Sequence, residues 1–331
     1  MERALYEPGL GYYATETIRT GKSGDFITNV TVGSCFGTLL ASRIAEYWRE
    51  LGGPDSFLLV EQGANDGQLM QDILEWLSEH RPECRKAAQI HFIEPLKNAR
   101  QNQAARCPEA TWHADLPGEL GSHGVFFCNE LLDAFPVQRF RNAKDGWVEL
   151  CVTLADDGES FCWLEQPAGR DALKALASAF PHAPREGFIT EITPGLQPWM
   201  TAASRLFARG LWLITDYGLD AAEYYHSSRA QGTLRGYRRH QLLAEDLLSD
   251  PGEIDLTCHV NWTTLLDLAP SLGLEVVDFK DQMRFLTHQA VPMLKSITNP
   301  DPRELRWLRQ FQTLTHPGQL GAKFQTLQLT K

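Results

Sequence analysis

The chain has 331 residues, a net charge of -11, 43% hydrophobic residues and 22% charged residues. This length allows one large domain or two small ones, and the composition is ordinary for a globular protein. Because an acidic surface repels nucleic-acid phosphates, the charge argues against nucleic acid and favours a small-molecule or protein partner. No apolar run of about 18 residues occurs, so no membrane span is predicted.

The N-terminus bears on the location of the protein, and the cysteines bear on disulfides and metal binding. The opening MERALYEPGLGYY resembles neither a signal peptide nor an Arg-rich transit peptide, so a cytoplasmic location is expected. The seven cysteines form no CxxC pair, and no Cys/His group has the ligand spacing of a zinc site. The sequence therefore predicts free thiols and no metal site, and it leaves the oligomeric state open.

The first half of the chain alternates between helical and strand patterns. Apolar residues recur at the helical period over 34–48, which predicts an amphipathic helix. Apolar runs predict strands at 57–61, 90–94 and 125–128, with a helix at 67–79 between the first two. Short apolar strands that alternate with helices are typical of a parallel sheet covered on both faces. We therefore predict an α/β fold with a doubly wound sheet.

The pattern changes after residue 138. The stretch WVELCVTLADDGESFCWLEQ alternates with period two around Asp-Asp-Gly, which predicts an inserted β-hairpin. A helix is predicted at 196–209 and a strand at 211–217, and 218–260 is rich in loops and basic residues. Two last strands, at 274–279 and 324–330, are predicted to form the antiparallel edge of a mixed sheet.

The stretch EQGANDG follows the first predicted strand and has the composition of a ligand-binding turn. Gly63 and Gly67 are four residues apart, whereas the outer glycines of the dinucleotide fingerprint GxGxxG are five apart. This spacing disfavours an NAD dehydrogenase and matches the E/DxGxGxG turn of class I S-adenosylmethionine methyltransferases. Asn65 stands at the middle glycine position, and Asn tolerates positive φ better than other non-glycine residues. A tight turn without a ligand is the alternative.

Two later positions support a cofactor that contains a nucleoside. Glu94 ends the second strand, where its carboxylate could accept hydrogen bonds from both ribose hydroxyls. Asp115 and Leu116 follow at the place expected to lie near the adenine. A solvated glutamate at the end of a strand is the alternative for Glu94. Together with the turn, these positions predict S-adenosylmethionine as the cofactor.

Several motifs occur in order along the chain: GDFIT, EQGANDGQL, NELLDAFPV, EITP, DYG, GTLRGY and DLTCHVNW. With these motifs, nearly the whole chain resembles the MidA-type class I methyltransferases, the bacterial relatives of a mitochondrial arginine methyltransferase that assembles respiratory complex I. The resemblance implies a Rossmann-like sheet with an N-terminal helical cap and inserted hairpin and helical elements. The implied segments are a cap and helix at 1–54, a cofactor-binding core at 55–137, an inserted hairpin region at 138–190, and the remainder of the core at 191–331 with a substrate-side insertion near 218–260.

The resemblance also implies roles for individual residues. Gly24, Asp25 and Phe26 fall on a GDF loop that is expected to close over the cofactor, and Asn129 begins the NExxDAxP motif. The predicted cofactor-binding residues are Gly24, Asp25, Phe26, Glu61, Gly63, Asn65, Gly67, Glu94, Asp115, Leu116 and Asn129. The chain departs from the family pattern at Ala64, Asn65 and Asp66, which replace Pro, Gly and Arg, and at Asn29 and Val30, which replace a Pro-Glu pair.

Three acids are candidate catalytic residues: Glu130, Asp133 and Glu191, in that order of preference. Glu130 and Asp133 follow the end of a core strand, where open α/β sheets bind their ligands. If the methyl acceptor is a guanidinium, a carboxylate there can orient it by bidentate pairing. Asp133 could instead cap the turn before Pro136, and Glu191 could instead pair with an arginine of the RGYRRH segment.

Three functions remain open at this point. The first is an S-adenosylmethionine-dependent methyltransferase that acts on arginine in a protein substrate, during assembly of a respiratory complex. The second is a methyltransferase for another side chain or a small molecule. The third is a non-catalytic assembly or binding protein on a degenerate methyltransferase fold, which the altered glycine turn favours.

Overall fold

A computed structural model describes residues 1–15, 28–238, 241–243 and 247–331. The predicted loop residues Gly24, Asp25 and Phe26 lie outside these described residues. The chain divides into two compact units, and each combines stretches that are distant in sequence. Unit 1 consists of Met1–Arg19, Leu132–Trp199 and Gly218–Leu265, and unit 2 consists of Thr20–Leu131, Met200–Tyr217 and Leu266–Lys331.

The regular elements are numbered in chain order. The α-helices are α1 Glu2–Tyr6, α2 Cys35–Glu50, α3 Gln68–His80, α4 Pro82–Ala87, α5 Lys97–Arg106, α6 Arg170–Ala179, α7 Leu196–Ala203, α8 Ala221–Tyr224, α9 Trp262–Leu268, α10 Gln282–Ser296 and α11 Pro302–Thr315. The strands are β1 Phe57–Gln62, β2 Ala88–Ile93, β3 Thr111–His113, β4 Gly121–Asn129, β5 Gln138–Ala143, β6 Gly146–Leu154, β7 Phe161–Pro167, β8 Ile189–Ile192, β9 Phe207–Leu219, β10 Arg235–Arg238, β11 Gln241–Leu243, β12 Asp255–Thr257, β13 Val260–Asn261, β14 Glu275–Asp281 and β15 Phe324–Thr330.

Unit 2 contains the predicted α/β sheet, with strands in the order β14-β15-β9-β4-β1-β2-β3. From β9 to β3 all neighbours run parallel, which confirms the predicted fold class. The last strand, β15, runs antiparallel to both β9 and β14. The edge strand on that side is therefore β14, and β15 lies inside the sheet between it and β9.

The core of unit 2 lies against α2 and α3. The predicted apolar stripe of α2 is buried, with Phe36, Leu39 and Ile44 fully enclosed. The first four residues of β1 are also buried, as expected for a strand that has helices on both faces. Since each fully buried side chain of this size contributes roughly 1.5–3 kcal/mol, this core accounts for why α2 and β1 form where the periodicity predicted them.

One predicted helix is too long. The pattern over 196–209 predicted a continuous helix, but α7 ends at Ala203 and β9 already begins at Phe207. Phe207 pairs with Gly121 and Arg209 with His123 of β4. Sheet pairing, which local periodicity does not show, therefore takes these residues out of the helix.

Unit 1 contains two smaller antiparallel sheets. One has the order β7-β6-β5-β8 and includes the predicted hairpin of β6 and β7. The other, in the order β11-β10-β12, lies in the region that the sequence predicted to be mostly loops. Among the described residues of the chain, no helix is both long and apolar enough to cross a bilayer.

Candidate active site

The glycine turn after β1 has the backbone conformation of a ligand-binding turn. Gly63, Asn65 and Gly67 all have positive φ, at 74°, 49° and 83°. A Cβ atom at Gly63 would lie 3.0 Å from the side chain of Leu131, and one at Gly67 would lie 3.3 Å from the Cα atom of Gln103. Glycine is thus required at both outer positions, whereas Asn65 adopts the left-handed region that Asn tolerates.

Glu61 lies at the base of this turn and is almost fully buried. Burial raises its pKa well above the usual range, and nearby Asp66 raises it further, while the backbone N–H of Met70 opposes the shift. Its Oε2 atom has no hydrogen-bond partner among the described residues. Buried polar oxygens are normally satisfied, so this oxygen is available to a polar group of a ligand.

Glu94 follows β2 and is held by a buried polar network. Its Oε1 accepts from the backbone N–H of Leu96 at 3.0 Å, and its Oε2 accepts from Nε2 of Gln103 at 3.1 Å. The same Nε2 donates to the carbonyl of Asn65 at 2.9 Å, and the indole of Trp112 donates to Oε1 of Gln103 at 2.9 Å. Gln103 is fully enclosed, so it connects the predicted ribose acid to the backbone of the glycine turn.

Burial also shifts the pKa of Glu94. It raises the pKa of this carboxyl, and the hydrogen bonds from Leu96 and Gln103 together with the charge of Arg100 oppose the rise. The neighbouring predicted residues, Asp115 and Leu116, follow β3, where Asp115 is exposed and Leu116 is half-buried. They lie beyond the carboxyl end of β3, a strand next to β2 that the sequence did not predict. Their place near the adenine stays a prediction.

Asn129 is the last residue of β4 and Glu130 follows it. Both are hydrogen-bonded to Asn29, which the sequence marked only as a departure from the family pattern. The amide of Asn129 donates to Oε1 of Glu130 at 2.8 Å and accepts from Nδ2 of Asn29 at 2.9 Å. The backbone N–H of Asn29 also donates to Oε1 of Glu130, at 3.2 Å. Asn29 is itself fully buried and accepts from Gln282 at 2.9 Å. This chain of amides fixes the position of the Glu130 carboxylate.

The backbone of Glu130 is strained. Its φ is 53°, and left-handed conformations cost roughly 1–2 kcal/mol in residues other than glycine. Its backbone N–H donates to the carbonyl of Thr215 at 3.0 Å, which helps to hold this conformation. Residues kept in strained conformations cluster at functional sites, and Glu130 is half-exposed at the end of β4.

Two of the predicted catalytic acids, Asp133 and Glu191, belong to unit 1. Glu191 is 1% exposed, accepts from Nε of Arg139 at 3.2 Å and accepts from the backbone N–H of Thr233 at 2.8 Å. Its pKa is raised by burial, and the hydrogen bond from Thr233 and the charge of Arg139 oppose that shift. Among the described residues, Glu191 pairs with Arg139 of β5 and not with Arg235 or Arg238 of the RGYRRH segment. Arg239 of that segment lies outside the described residues.

Asp133 is also buried in unit 1, near a second acid. Asp255 accepts from the hydroxyl of Tyr13 at 2.8 Å. Burial raises the pKa of Tyr13 well above its usual range, and the charges of Asp255 and Asp133 raise it further. In the same unit, burial lowers the pKa of His259 to about 4, so this histidine is neutral at physiological pH.

The structure thus gathers one group of predicted residues at one edge of the sheet of unit 2. They lie at or just beyond the carboxyl ends of parallel strands, which is where open α/β sheets bind ligands. This group consists of Glu61, Gly63, Asn65, Gly67, Glu94, Asp115, Leu116, Asn129 and Glu130. Sequence reasoning missed the buried amides Gln103, Asn29 and Gln282 that support the group.

The residues at this edge fit S-adenosylmethionine. The glycine turn would let backbone approach a ligand, the unpartnered Oε2 of Glu61 would face a polar group of it, and the fixed carboxyl group of Glu94 would accept from ribose hydroxyls. This group contains several carboxyl groups and no Lys or Arg, whereas a phosphate site favours positive charge. The site therefore suits a nucleoside cofactor without phosphate.

Comparison with known proteins places the chain in a family. Residues 39–280 match the family model described as "Putative S-adenosyl-L-methionine-dependent methyltransferase". This match covers more than half of the chain, and the chain belongs to this family of methyltransferases. It is an enzyme that uses S-adenosylmethionine as its cofactor.

Individual relatives agree with this assignment. The protein arginine methyltransferase NDUFAF7 of Rattus norvegicus is 26% identical over 98% of this chain and 78% of its own length. The homologue from Drosophila melanogaster is 25% identical over 99% of this chain and 79% of its own length. A crystal structure of a protein from Burkholderia thailandensis bound to S-adenosyl-homocysteine has a TM-score of 0.86 and 26% identity, and covers 100% of this chain and 86% of that one.

Proposed function

We propose that the chain is a protein arginine methyltransferase and that Glu130 orients the guanidinium of the acceptor. The observation that carries this proposal is the conformation of Glu130, which is strained at 53° in φ and held by Asn29 and Asn129. A fixed carboxylate pairs well with a planar guanidinium. The two NDUFAF7 proteins compared above are named protein arginine methyltransferases, which supports arginine as the acceptor.

In this proposal the chain contributes position and electrostatics. S-adenosylmethionine supplies a methyl group bound to a positively charged sulfur. Glu61, Glu94 and the glycine turn would hold the nucleoside, and Glu130 would accept hydrogen bonds from the guanidinium so that one nitrogen faces the methyl carbon. Such positioning reduces the entropic part of the barrier. Asp133 stays a second candidate for contact with the acceptor, and Glu191 stays a third candidate whose contacts fit a structural role.

The non-catalytic alternative from the sequence is not favoured. It rested on the replaced residues of the glycine turn, but Asn65 keeps the left-handed backbone and both outer glycines keep theirs. A role in assembling a respiratory complex rests on the family resemblance. A cytoplasmic location stays a prediction from the sequence. The two named arginine methyltransferases compared above are mitochondrial, and cell fractionation would test where this chain is located.

The acceptor is identified by labelling. The purified chain is incubated with S-adenosylmethionine that carries a tritiated methyl group and with a lysate of cells from which its gene has been deleted. The proteins are then hydrolysed to free amino acids. We expect label in methylarginine, and we expect Glu130→Gln to reduce it by about 100-fold, the size typical of losing one oriented polar group. Label in methyllysine or in small molecules alone would contradict arginine as the acceptor.

A further inference from the structure

Four large apolar side chains form an exposed patch on the hairpin of β6 and β7, called here the hairpin patch: Val152, Leu154, Phe161 and Trp163. Val152 lies directly opposite Trp163, and Leu154 lies opposite Phe161, so all four share one face of the sheet. Their exposed fractions run from 36% for Trp163 to 56% for Leu154. Contiguous apolar patches of this kind on a protein surface are commonly binding sites.

The hairpin patch borders an open strand edge. The outermost strand of its sheet is β7, and no described strand pairs with its outer side. The N–H of Ala155 donates to the carbonyl of Ser160, and that of Ala168 donates to Trp147. Because bonded and non-bonded pairs alternate along an antiparallel ladder, the residues at 161, 163 and 165 direct their backbone N–H and C=O groups away from β6.

The first five residues of this edge strand lack the usual protection against strand addition. Natural edge strands commonly carry Lys, Pro or a bulge that prevents pairing with another chain. Pro167 is the last residue of β7 and limits pairing at that end. Residues 161–165 read FCWLE and contain neither Lys nor Pro, and their register with β6 is continuous. An extended segment can therefore pair with β7 while its alternate side chains lie on the hairpin patch.

The charge of the hairpin selects the partner. Residues 146–167 contain Glu149, Asp156, Asp157, Glu159 and Glu165 and no Lys, Arg or His. On the neighbouring strand β5, Arg141 pairs with Glu165, and Arg139 lies over the ring of Trp163 and pairs with Glu191. The acidic charge therefore lies mainly at the turn of the hairpin, at Asp156, Asp157 and Glu159. Hydrogen bonds from the hydroxyl and the backbone N–H of Ser160 lower the pKa of Asp157 to about 2, so this acid is charged at neutral pH. Nucleic acid, an anionic membrane and the same hairpin of a second copy would each bring negative charge to this site, which disfavours them.

We propose that the hairpin patch and the open edge of β7 bind an extended, basic segment of the protein that is methylated. This inference rests on the proposed function, because a segment that contains arginine is what a protein arginine methyltransferase accepts. Its apolar side chains would cover the hairpin patch, and its basic side chains would lie near Asp156 and Glu159. The contact would recruit the substrate at a surface built by the inserted hairpin.

The proposal is tested with defined peptides on the full-length chain. Two short fluorescent peptides are titrated by anisotropy, one alternating arginine with valine and the other alternating glutamate with valine. We expect the arginine peptide to bind at least about tenfold more tightly than the glutamate peptide, a difference of about 1.4 kcal/mol. We expect the double variant Val152→Ser, Leu154→Ser to weaken that binding about tenfold or more, since it removes two apolar side chains from the contact.

Two further variants separate charge from apolar contact. Asp156→Asn with Glu159→Gln keeps Asp157 and its turn, and should weaken binding at low salt but much less at high salt, where charges are screened. Leu305→Ser is the matched control, because Leu305 is 43% exposed on α11 of unit 2, and it should leave binding unchanged. Circular dichroism checks that every variant is folded.

Equal binding of both peptides would overturn the proposal, as would binding that Val152→Ser, Leu154→Ser leaves intact. A dimer seen by sedimentation and lost in that double variant would assign the hairpin patch to a second copy and would also overturn it. The titration contains no methyl donor. If the arginine peptide binds but the labelling assay yields no methylarginine, only the proposed function is contradicted. If methylarginine forms but the arginine peptide does not bind, only the docking site is contradicted.

Discussion

The glycine turn of unit 2 lies beside buried polar groups, whereas the hairpin of unit 1 exposes apolar groups to water. Beside the turn, Gln103 is fully enclosed and hydrogen-bonds to three different groups, so the polar atoms of this side chain are buried and satisfied. On the hairpin, Val152 and Leu154 are half-exposed or more, so apolar atoms remain in contact with water. A buried polar network fixes geometry before a ligand arrives, whereas an exposed apolar face gains stability only when something covers it.

The largest difference between the two regions should appear in the free energy of unfolding. Gln103→Leu removes the hydrogen bonds that Gln103 makes to the carbonyl of Asn65, the indole N–H of Trp112 and one oxygen of Glu94. Since each buried unsatisfied group costs about 1–3 kcal/mol, we expect a loss of about 3 kcal/mol after partial relaxation. Leu154→Ser should change stability by less than about 0.5 kcal/mol, as exposed positions usually do. Urea unfolding of both variants measures this, and similar losses in the two would break the comparison.

A smaller difference should appear in cofactor affinity. Glu94→Ala removes the carboxylate predicted to accept from the ribose, so we expect about 2 kcal/mol weaker binding, or roughly a thirtyfold rise in Kd. Calorimetric titration with S-adenosylmethionine and S-adenosylhomocysteine measures it. Glu165→Ala on the hairpin is the control and should bind both as well as the unmodified chain. A Kd for Glu94→Ala within about twofold of the control would remove Glu94 from the cofactor site.

The smallest difference between the two regions should appear in how the free energy of unfolding depends on pH. Nδ1 of His91 and Nε2 of His113 lie 3.0 Å apart in unit 2, whereas the hairpin has no histidine. Burial lowers the pKa of His91 and the neighbouring His113 lowers it further; burial and Arg100 lower the pKa of His113. Both pKa values thus lie below the usual 6.5 in the folded chain.

The unfolded chain therefore binds more protons than the folded chain as the pH falls below about 6.5, and stability decreases there. His113→Gln should flatten this part of the stability profile, while Leu154→Ser should not. Urea unfolding above and below pH 6.5 checks both variants. A His113→Gln profile as steep as that of the unmodified chain would show that the pair does not titrate in this range.

Much of unit 2 could be predicted from sequence, because a buried parallel sheet leaves continuous apolar runs. The strand that starts at Phe57 and the helix over 34–48 followed from such local patterns. The length of the helix after Leu196 did not, since its last predicted residues pair with β4 instead. Motif spacing located Glu94 and the glycine turn, and one feature of the hairpin, its alternating pattern, located β6 and β7.

The supporting residues had no local signal. Gln103 stands in the polar stretch KNARQNQAAR, where nothing distinguishes it from exposed neighbours. Asn29 was noted only as a departure from a family pattern, although it positions Glu130. The partner of Glu191, Arg139, is 52 residues away. Such roles depend on groups that approach each other only in the folded chain.

The left-handed backbone at Asn65 changes what the glycine motif means. The middle position is occupied by a residue with φ of 49°, whose carbonyl is held by Gln103. The requirement at this position is therefore a dihedral angle and a bonded carbonyl, and glycine is only one of the letters that satisfy it. Pattern searches that insist on glycine will discard chains such as this one. A better signature pairs an Asn or Gly at the middle of the turn with an amide nine residues after the acid that follows the second strand, the separation of Gln103 from Glu94.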